Sequence, residues 1–207
     1  MAVQGCGNVC SWTARLVGEL RYDELGYKVV ALSDLESGAY NAKCLKLSHL
    51  TGNRPDGTGL SGLPNGDFIT HAELLELKCE ALIPAAIDNV ITEESAPKVM
   101  ASLILEVANH PLTLEADDTL AQRGTVVLPD IPVNAGGVVV SYFEWSRNFQ
   151  EFRWGEDRVN QDLRKKMSTA FQAVKKRTLA EKTTYREAAF DIAVERMARA
   201  AESRGFA

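Results

Sequence analysis

The sequence lacks the features that mark a membrane protein, a secreted protein or a nucleic-acid-binding protein. No apolar run approaches the roughly 20 residues that a membrane-spanning helix needs, and no charged segment followed by an apolar run marks a signal peptide. The net charge is −5, so neutralising phosphates would contribute little to binding. We therefore expect a soluble cytoplasmic protein that binds neither membranes nor nucleic acid.

Cysteine and histidine are also scarce. The chain has three histidines, and its four cysteines show no CxxC spacing: Cys6, Cys10, Cys44 and Cys79. Reduced thiols are expected rather than disulfides. Because no cluster of histidine and cysteine occurs, we propose no metal site.

Short β-rich runs alternate with helical stretches over the first two thirds of the chain. Strands are predicted at 2–4, 28–32, 81–83, 103–107 and 125–128, and helices at 8–25, 45–50, near 93–100 and at 115–123. Thr70 opens a further helix with a capping box that includes Glu73. Residues 37–67 are rich in glycine and proline and are predicted as loop. Strands separated by helices predict an α/β fold that is Rossmann-like, with a mainly parallel sheet and helices on both faces.

The chain is predicted to be helical from Gly137 onward. An apolar stripe at helical spacing forms a packing face, and a second capping box, Thr184 to Glu187, opens the last helix; the stripe is Val159, Leu163, Met167, Phe171 and Val174. We therefore predict a dinucleotide-binding domain over 1–136 and a C-terminal helical segment over 137–207 that packs on it.

A glycine-rich turn, Gly5-Cys-Gly7-Asn-Val-Cys10, joins the first strand to the first helix. In the dinucleotide fingerprint, the first glycine makes the tight turn and the second lets the backbone approach the pyrophosphate. The third position allows close helix–strand packing, and here it is Cys10. The turn in its strand–turn–helix context predicts a dinucleotide site at Gly5 and Gly7.

Asp34 ends the second predicted strand, where a carboxylate would accept hydrogen bonds from the adenosine ribose. A carboxylate there favours NAD over NADP. The alternative is that Asp34 only caps the turn before Ser37.

Five segments together resemble the Glu/Leu/Phe/Val dehydrogenase family, and in particular the coenzyme domain of its glutamate dehydrogenases. They occur in the family's order and span most of the chain: AVQGCGNV (2–9), GYKVVALSD (26–34), ALIPAAIDNVIT (81–92), VVLPDIPVNAGGVVVSYFEW (126–145) and AAFDIAVERM (188–197). The resemblance implies oxidative deamination of an amino acid by hydride transfer to NAD or NADP.

The resemblance also implies roles for single residues. Asn8 would contact the coenzyme, and Ala85 and Ala86 would line its groove. Asn109 and Asn134 would lie beside the nicotinamide ribose and carboxamide, and Ser141 would contact the amino-acid substrate. The alternatives are that Asn134 only caps the next helix and that Ser141 only packs.

In this family the catalytic lysine, the proton-shuttling aspartate and the lysines that hold the substrate carboxylate belong to an N-terminal domain. No matching run occurs here, so we assign no catalytic residue and expect that the isolated chain is inactive until a substrate domain is supplied. Because the chain begins inside its first strand, we interpret it as a fragment, a split-gene half or a misplaced start. The protein is expected to be either a monomer or an oligomer. If the chain associates through its C-terminal helices, exposed apolar side chains are expected on those helices.

The family's EGANGP segment reads Glu106-Val-Ala-Asn-His-Pro111 here. Val107 and His110 replace glycines of that segment. We expect Val107 to be strained at a position that needs a positive φ, and His110 to crowd the backbone that should approach the coenzyme. His110 as a new acid–base group is the alternative. These changes, with Cys10, leave open a non-catalytic dinucleotide-binding or regulatory module, or a folded relic that binds nothing.

Overall fold

The computed structural model describes residues 1–5, 7, 12, 27–34, 37–45, 60, 65–151 and 153–206. The chain divides into two compact units, Met1–Val126 and Val127–Ala207. The helices predicted over 8–25 and 45–50 lie outside the described residues, apart from Trp12 and Leu45. The domain division at residue 136 stays a prediction.

Seven strands among the described residues form one sheet in the order β4-β3-β2-β1-β5-β6-β7. The strands are β1 Ala2–Gln4, β2 Ala31–Ser33, β3 Gly38–Tyr40, β4 Asp67–Ile69, β5 Ala81–Pro84, β6 Leu103–Leu105 and β7 Val126–Leu128. The four central strands, β2, β1, β5 and β6, pair in parallel. This arrangement confirms the predicted α/β fold class.

The core of the sheet consists of apolar side chains on the four parallel strands. Val3, Leu32, Leu82 and Ile104 are fully buried, one on each of these strands. Strands of a parallel sheet are covered on both faces, which explains their continuous apolar runs in the sequence.

The edge beyond β2 contains two strands where the sequence predicted loop around residues 38–40 and up to residue 67. Strand β3 pairs antiparallel with β2, and β4 pairs antiparallel with β3. A Cβ atom on Gly38 would lie 2.9 Å from Cγ1 of Ile69 and 3.1 Å from its carbonyl oxygen. Glycine therefore lets β4 approach closely, and a three-residue strand that starts with glycine shows no alternating pattern in the sequence.

The helices of the first unit begin near their predicted residues. Helix α1 (His71–Leu75) has the predicted capping box, in which Thr70 Oγ1 accepts from the Glu73 amide and Glu73 accepts from the Thr70 amide. Helix α2 spans Leu114–Gln122, and Gly124 follows it at φ 76°. The helix predicted near residues 93–100 is a single 3-10 turn, Ala96–Lys98.

The second unit is helical, as predicted, but its helices begin before Gly137. They are α3 Asp130–Val133, α4 Ala135–Phe149, α5 Glu156–Glu181 and α6 Tyr185–Ser203. The capping box at Thr184 and Glu187 is confirmed. Buried Val174 packs with Ala188 and Ala189, so the predicted stripe on α5 is a packing face. None of the described helices is both long enough and apolar enough to span a membrane.

Candidate functional site

The turn after β1 requires glycine at Gly5. Its φ is 103°, which residues with a side chain rarely adopt. A Cβ atom there would lie 2.8 Å from the Cβ of Ala86 and 2.9 Å from its amide nitrogen. The Gly5 amide donates to Oγ of Ser33 at 3.2 Å, which fixes the turn against β2. The predicted first glycine of the fingerprint therefore has the conformation that this role needs.

Gly7 differs from Gly5 in its surroundings. It is exposed, its φ is not left-handed, and none of the described residues lies within 4 Å of the position that its Cβ would occupy. This open space is what the second glycine of the fingerprint offers to a pyrophosphate. Asn8 and Cys10 lie outside the described residues.

Ala85 and Ala86 follow β5 at the same edge of the sheet as the Gly5 turn. The Ala85 amide donates to the carbonyl of Gln4 at 2.8 Å, so the ends of β1 and β5 are held together. Ala85 is half-buried and Ala86 is exposed. The carboxyl ends of parallel strands are where doubly wound sheets bind ligands, and Ala85 and Ala86 lie at that edge; their role in lining a coenzyme groove stays a prediction.

Gln4 is a polar residue that the sequence analysis missed. It ends β1 directly before the Gly5 turn, is 6% exposed, and its Oε1 has no hydrogen-bond partner among the residues that the structure describes. A glutamine at the end of an otherwise apolar buried strand is the signal that would have found it, since buried polar groups are usually paired.

Asp34 caps the turn that follows β2. Its Oδ1 accepts from the Ser37 amide at 2.9 Å, and its Oδ2 accepts from the Leu60 amide at 2.7 Å. The structure thus contains the turn-capping role that was the alternative. A carboxylate has about four acceptor sites, so capping does not exclude a ribose contact, and that contact stays a prediction.

The segment after β6 corrects one expectation and leaves another as a prediction, namely that His110 crowds the backbone. Val107 is not in the left-handed region; its amide donates to the Pro84 carbonyl at 3.1 Å. The predicted strain at Val107 is therefore wrong, because the segment continues alongside β5. His110 does have a left-handed φ of 47°, and its carbonyl accepts from the Asn89 amide at 2.8 Å. Asn109 precedes it and is exposed.

In the second unit, Asn134 lies between α3 and α4. Its amide donates to the Asp130 carbonyl at 2.9 Å, and its own carbonyl accepts from the Gly137 amide at 3.3 Å. Its side chain makes no capping hydrogen bond to α4, so the helix-capping alternative has no support in the structure. Ser141 lies about two turns further along α4 and is exposed, which argues against a packing role within this unit.

Exposed apolar side chains form stripes on two helices of the second unit. On α4 they recur at the spacing of one helix face: Val138, Tyr142, Trp145 and Phe149, between 59% and 80% exposed. Their rings follow one another, with centroids 5.8 Å apart for Tyr142–Trp145 and 5.9 Å apart for Trp145–Phe149. A second stripe on α6 is formed by Phe190, Val194 and Met197. Patches of this kind mark surfaces that are covered in an assembled protein.

Metal chemistry has no support in the part of the chain that the structure describes. There, no group of three or more histidine, cysteine, aspartate or glutamate side chains is placed to hold a metal ion.

Known proteins match almost the whole chain. The model of the family described as Glutamate/Leucine/Phenylalanine/Valine dehydrogenase matches residues 1–205. The chain is 42% identical over 205 residues to a glutamate dehydrogenase of Thermotoga maritima, which covers 99% of this chain and 48% of the relative.

Solved structures give the same result. A hetero-hexameric glutamate dehydrogenase of Thermus thermophilus, in a Leu-bound form, is 29% identical with a TM-score of 0.86; the match covers 98% of this chain and 47% of that chain. A glutamate dehydrogenase of Peptoniphilus asaccharolyticus is 30% identical with a TM-score of 0.80, over 100% of this chain and 47% of that chain. The chain therefore spans about half the length of the relatives it matches.

Proposed function

The chain belongs to the Glutamate/Leucine/Phenylalanine/Valine dehydrogenase family, and we propose that it is the coenzyme-binding half of an amino-acid dehydrogenase, with glutamate as the substrate. The reaction is oxidative deamination, in which a hydride leaves Cα of the amino acid for the nicotinamide of NAD or NADP. The observation that carries this proposal is the turn at Gly5. Its φ is left-handed, it approaches Ala86 closely, and it lies at the carboxyl edge of parallel strands, where doubly wound folds bind dinucleotides.

Within the first unit, the backbone at Gly5 and Gly7 binds the pyrophosphate, with Asn8 beside it. Asp34 accepts from the adenosine ribose while it also caps its own turn, and this carboxylate favours NAD over NADP. Ala85 and Ala86 line the groove after β5, because small side chains leave room for the coenzyme there. Asn109 contacts the nicotinamide half.

In the second unit, the Asn134 side chain, which does not cap α4, hydrogen-bonds the nicotinamide ribose or carboxamide. Ser141, exposed on α4, contacts the amino acid. The coenzyme supplies the hydride acceptor. The residues of this chain bind and orient it, and the acid–base groups come from a substrate domain outside the chain. The isolated chain is therefore inactive, because binding without positioned acid–base groups does not accelerate the chemical step.

A second candidate is a non-catalytic dinucleotide-binding or regulatory module. His110 favours it, since this histidine occupies a left-handed position where the family has glycine. A side chain at such a position costs stability unless the surrounding structure holds it there, and the change from glycine would alter the backbone that approaches the coenzyme.

The proposal is tested with a fusion of this chain to the half of the Thermotoga maritima relative that it does not match. We expect glutamate-dependent reduction of NAD or NADP by the fusion and none by the chain alone. An Asn134→Ala fusion is the control that separates this chain's contribution, and we expect it to lose activity. A folded fusion that binds coenzyme without activity would favour the non-catalytic module. Activity of the chain alone would contradict the division of roles.

We also propose that the assembled protein is an oligomer that acts in the cytoplasm. The exposed stripe on α4 supports a partner surface. The four cysteines of the sequence show no CxxC spacing, which fits a reducing compartment.

A further inference from the structure

A shielded ion pair joins α6 to α3 within the second unit. Nη1 of Arg186 lies 3.9 Å from Oδ1 of Asp130, and the two side chains are only 15% and 11% exposed. The pair between Arg199 and Glu195 is more exposed, at 73% and 42%. Solvent and salt screen an exposed pair strongly and a shielded one much less. Solvent and salt therefore weaken the Arg186 pair less than the Arg199 pair, although its charged atoms lie farther apart.

Asp130 connects the ion pair with Arg186 to the backbone of Asn134. Its Oδ1 accepts from the Ile131 amide at 2.9 Å, and its carbonyl accepts from the Asn134 amide at 2.9 Å. One residue thus carries both the ion pair and the hydrogen bond that holds the Asn134 backbone. Helix α3 has four residues, too few to be stable alone, so its position depends on such anchors.

Arg186 is itself held firmly. It is the second residue of α6 and lies inside the capping box, in which Thr184 accepts from the Glu187 amide and Glu187 accepts from the Thr184 amide. A capped helix terminus frays less than an uncapped one, so the guanidinium starts from a fixed backbone.

We propose that Arg186 and Asp130 are positioning residues, which hold Asn134 where it meets the nicotinamide end of the coenzyme. This inference rests on the function proposed above. It assigns to α6 an influence on coenzyme binding through α3, with no direct contact between Arg186 and the coenzyme.

The test is calorimetric titration of the full chain with NADH and with ADP-ribose, which lacks the nicotinamide. If the wild type binds NADPH but not NADH, NADPH replaces NADH in these titrations, and ADP-ribose 2′-phosphate replaces ADP-ribose. Arg186→Met should weaken NADH binding about tenfold and leave ADP-ribose binding within about twofold. Arg186→Lys, which keeps a positive charge, should restore part of the loss. Arg199→Met removes an arginine from the same helix and should change neither affinity.

A double-mutant cycle separates positioning from general loosening. If Arg186 acts through Asn134, Arg186→Met should weaken NADH binding little further once Asn134→Ala is present. Additive losses, equal losses for both ligands, or an unchanged affinity in Arg186→Met would overturn the positioning role while the proposed function stands. A folded wild type that binds neither ligand would overturn the proposed function, and the positioning role with it.

Discussion

Replacing Gly5 by alanine separates the structural role of the turn from its binding role. The substitution places a Cβ 2.8 Å from the Cβ of Ala86 and 2.9 Å from its amide nitrogen, at a φ of 103°. Backbone strain at such a φ costs about 1–3 kcal/mol, and overpacking a closed site costs about 1–3 kcal/mol more. We therefore expect Gly5→Ala to lower the free energy of unfolding by roughly 2–6 kcal/mol, a large part of the 5–15 kcal/mol that is usual for a folded protein.

Gly7→Ala is the matched control. No residue in the described part of the chain lies within 4 Å of its added Cβ, and its φ is not left-handed, so the free energy of unfolding should change by about 1 kcal/mol or less. The same methyl group would occupy the space proposed for the pyrophosphate, so coenzyme binding should weaken. Urea unfolding followed by circular dichroism measures the first effect, and titration with NADH measures the second. A Gly5→Ala protein less than 1 kcal/mol below the wild type, or a Gly7→Ala protein with unchanged affinity, would refute this reasoning.

Four further predictions concern other parts of the molecule. His110→Gly should stabilise the chain by about 1 kcal/mol in urea unfolding, because it relieves a left-handed φ of 47°; a loss of stability would show that the imidazole makes a needed contact. Thr184→Ala should cost about 1 kcal/mol through the lost N-cap. Hydrogen bonds from the Thr183 hydroxyl and the Thr184 amide lower the pKa of Glu187 below 4.5, so this stabilisation is present above pH 4.5 and is lost as the pH falls through the folded-state pKa. Glu187→Gln should remove that part of the acid dependence, and an unchanged acid profile would contradict it. Trp145→Ser on the exposed stripe should reduce binding of an apolar dye without lowering stability, whereas a clear destabilisation would mean that the ring packs within its own unit.

The central sheet was predictable because its strands carry continuous apolar runs, such as the one that ends at Ile83. The capping boxes at Thr70 and Thr184 were predictable because the signal is local and both partners lie within four residues. Gly5 was predictable for the same reason, since the fingerprint states which conformation its glycine must take.

What the sequence did not reveal depends on contacts between distant residues. Strand β3 exists because Gly38 admits Ile69 from far along the chain, and no window of local sequence contains both. The family has a glycine at the position of Val107, which is why strain was predicted there. The Val107 amide instead donates to the Pro84 carbonyl, and this hydrogen bond sets its conformation. The pairing of Asp130 with Arg186 spans more than fifty residues, and no local pattern in the sequence relates the two.

The most direct test of the account is calorimetric titration of the purified 207-residue chain with NADH and with NADPH. We predict saturable binding of one coenzyme per chain, tighter for NADH because of the carboxylate at Asp34, and weakened by Gly7→Ala. A chain that circular dichroism shows to be folded, and that binds neither coenzyme at millimolar concentration, would contradict the claim that this is the coenzyme-binding half of a dehydrogenase.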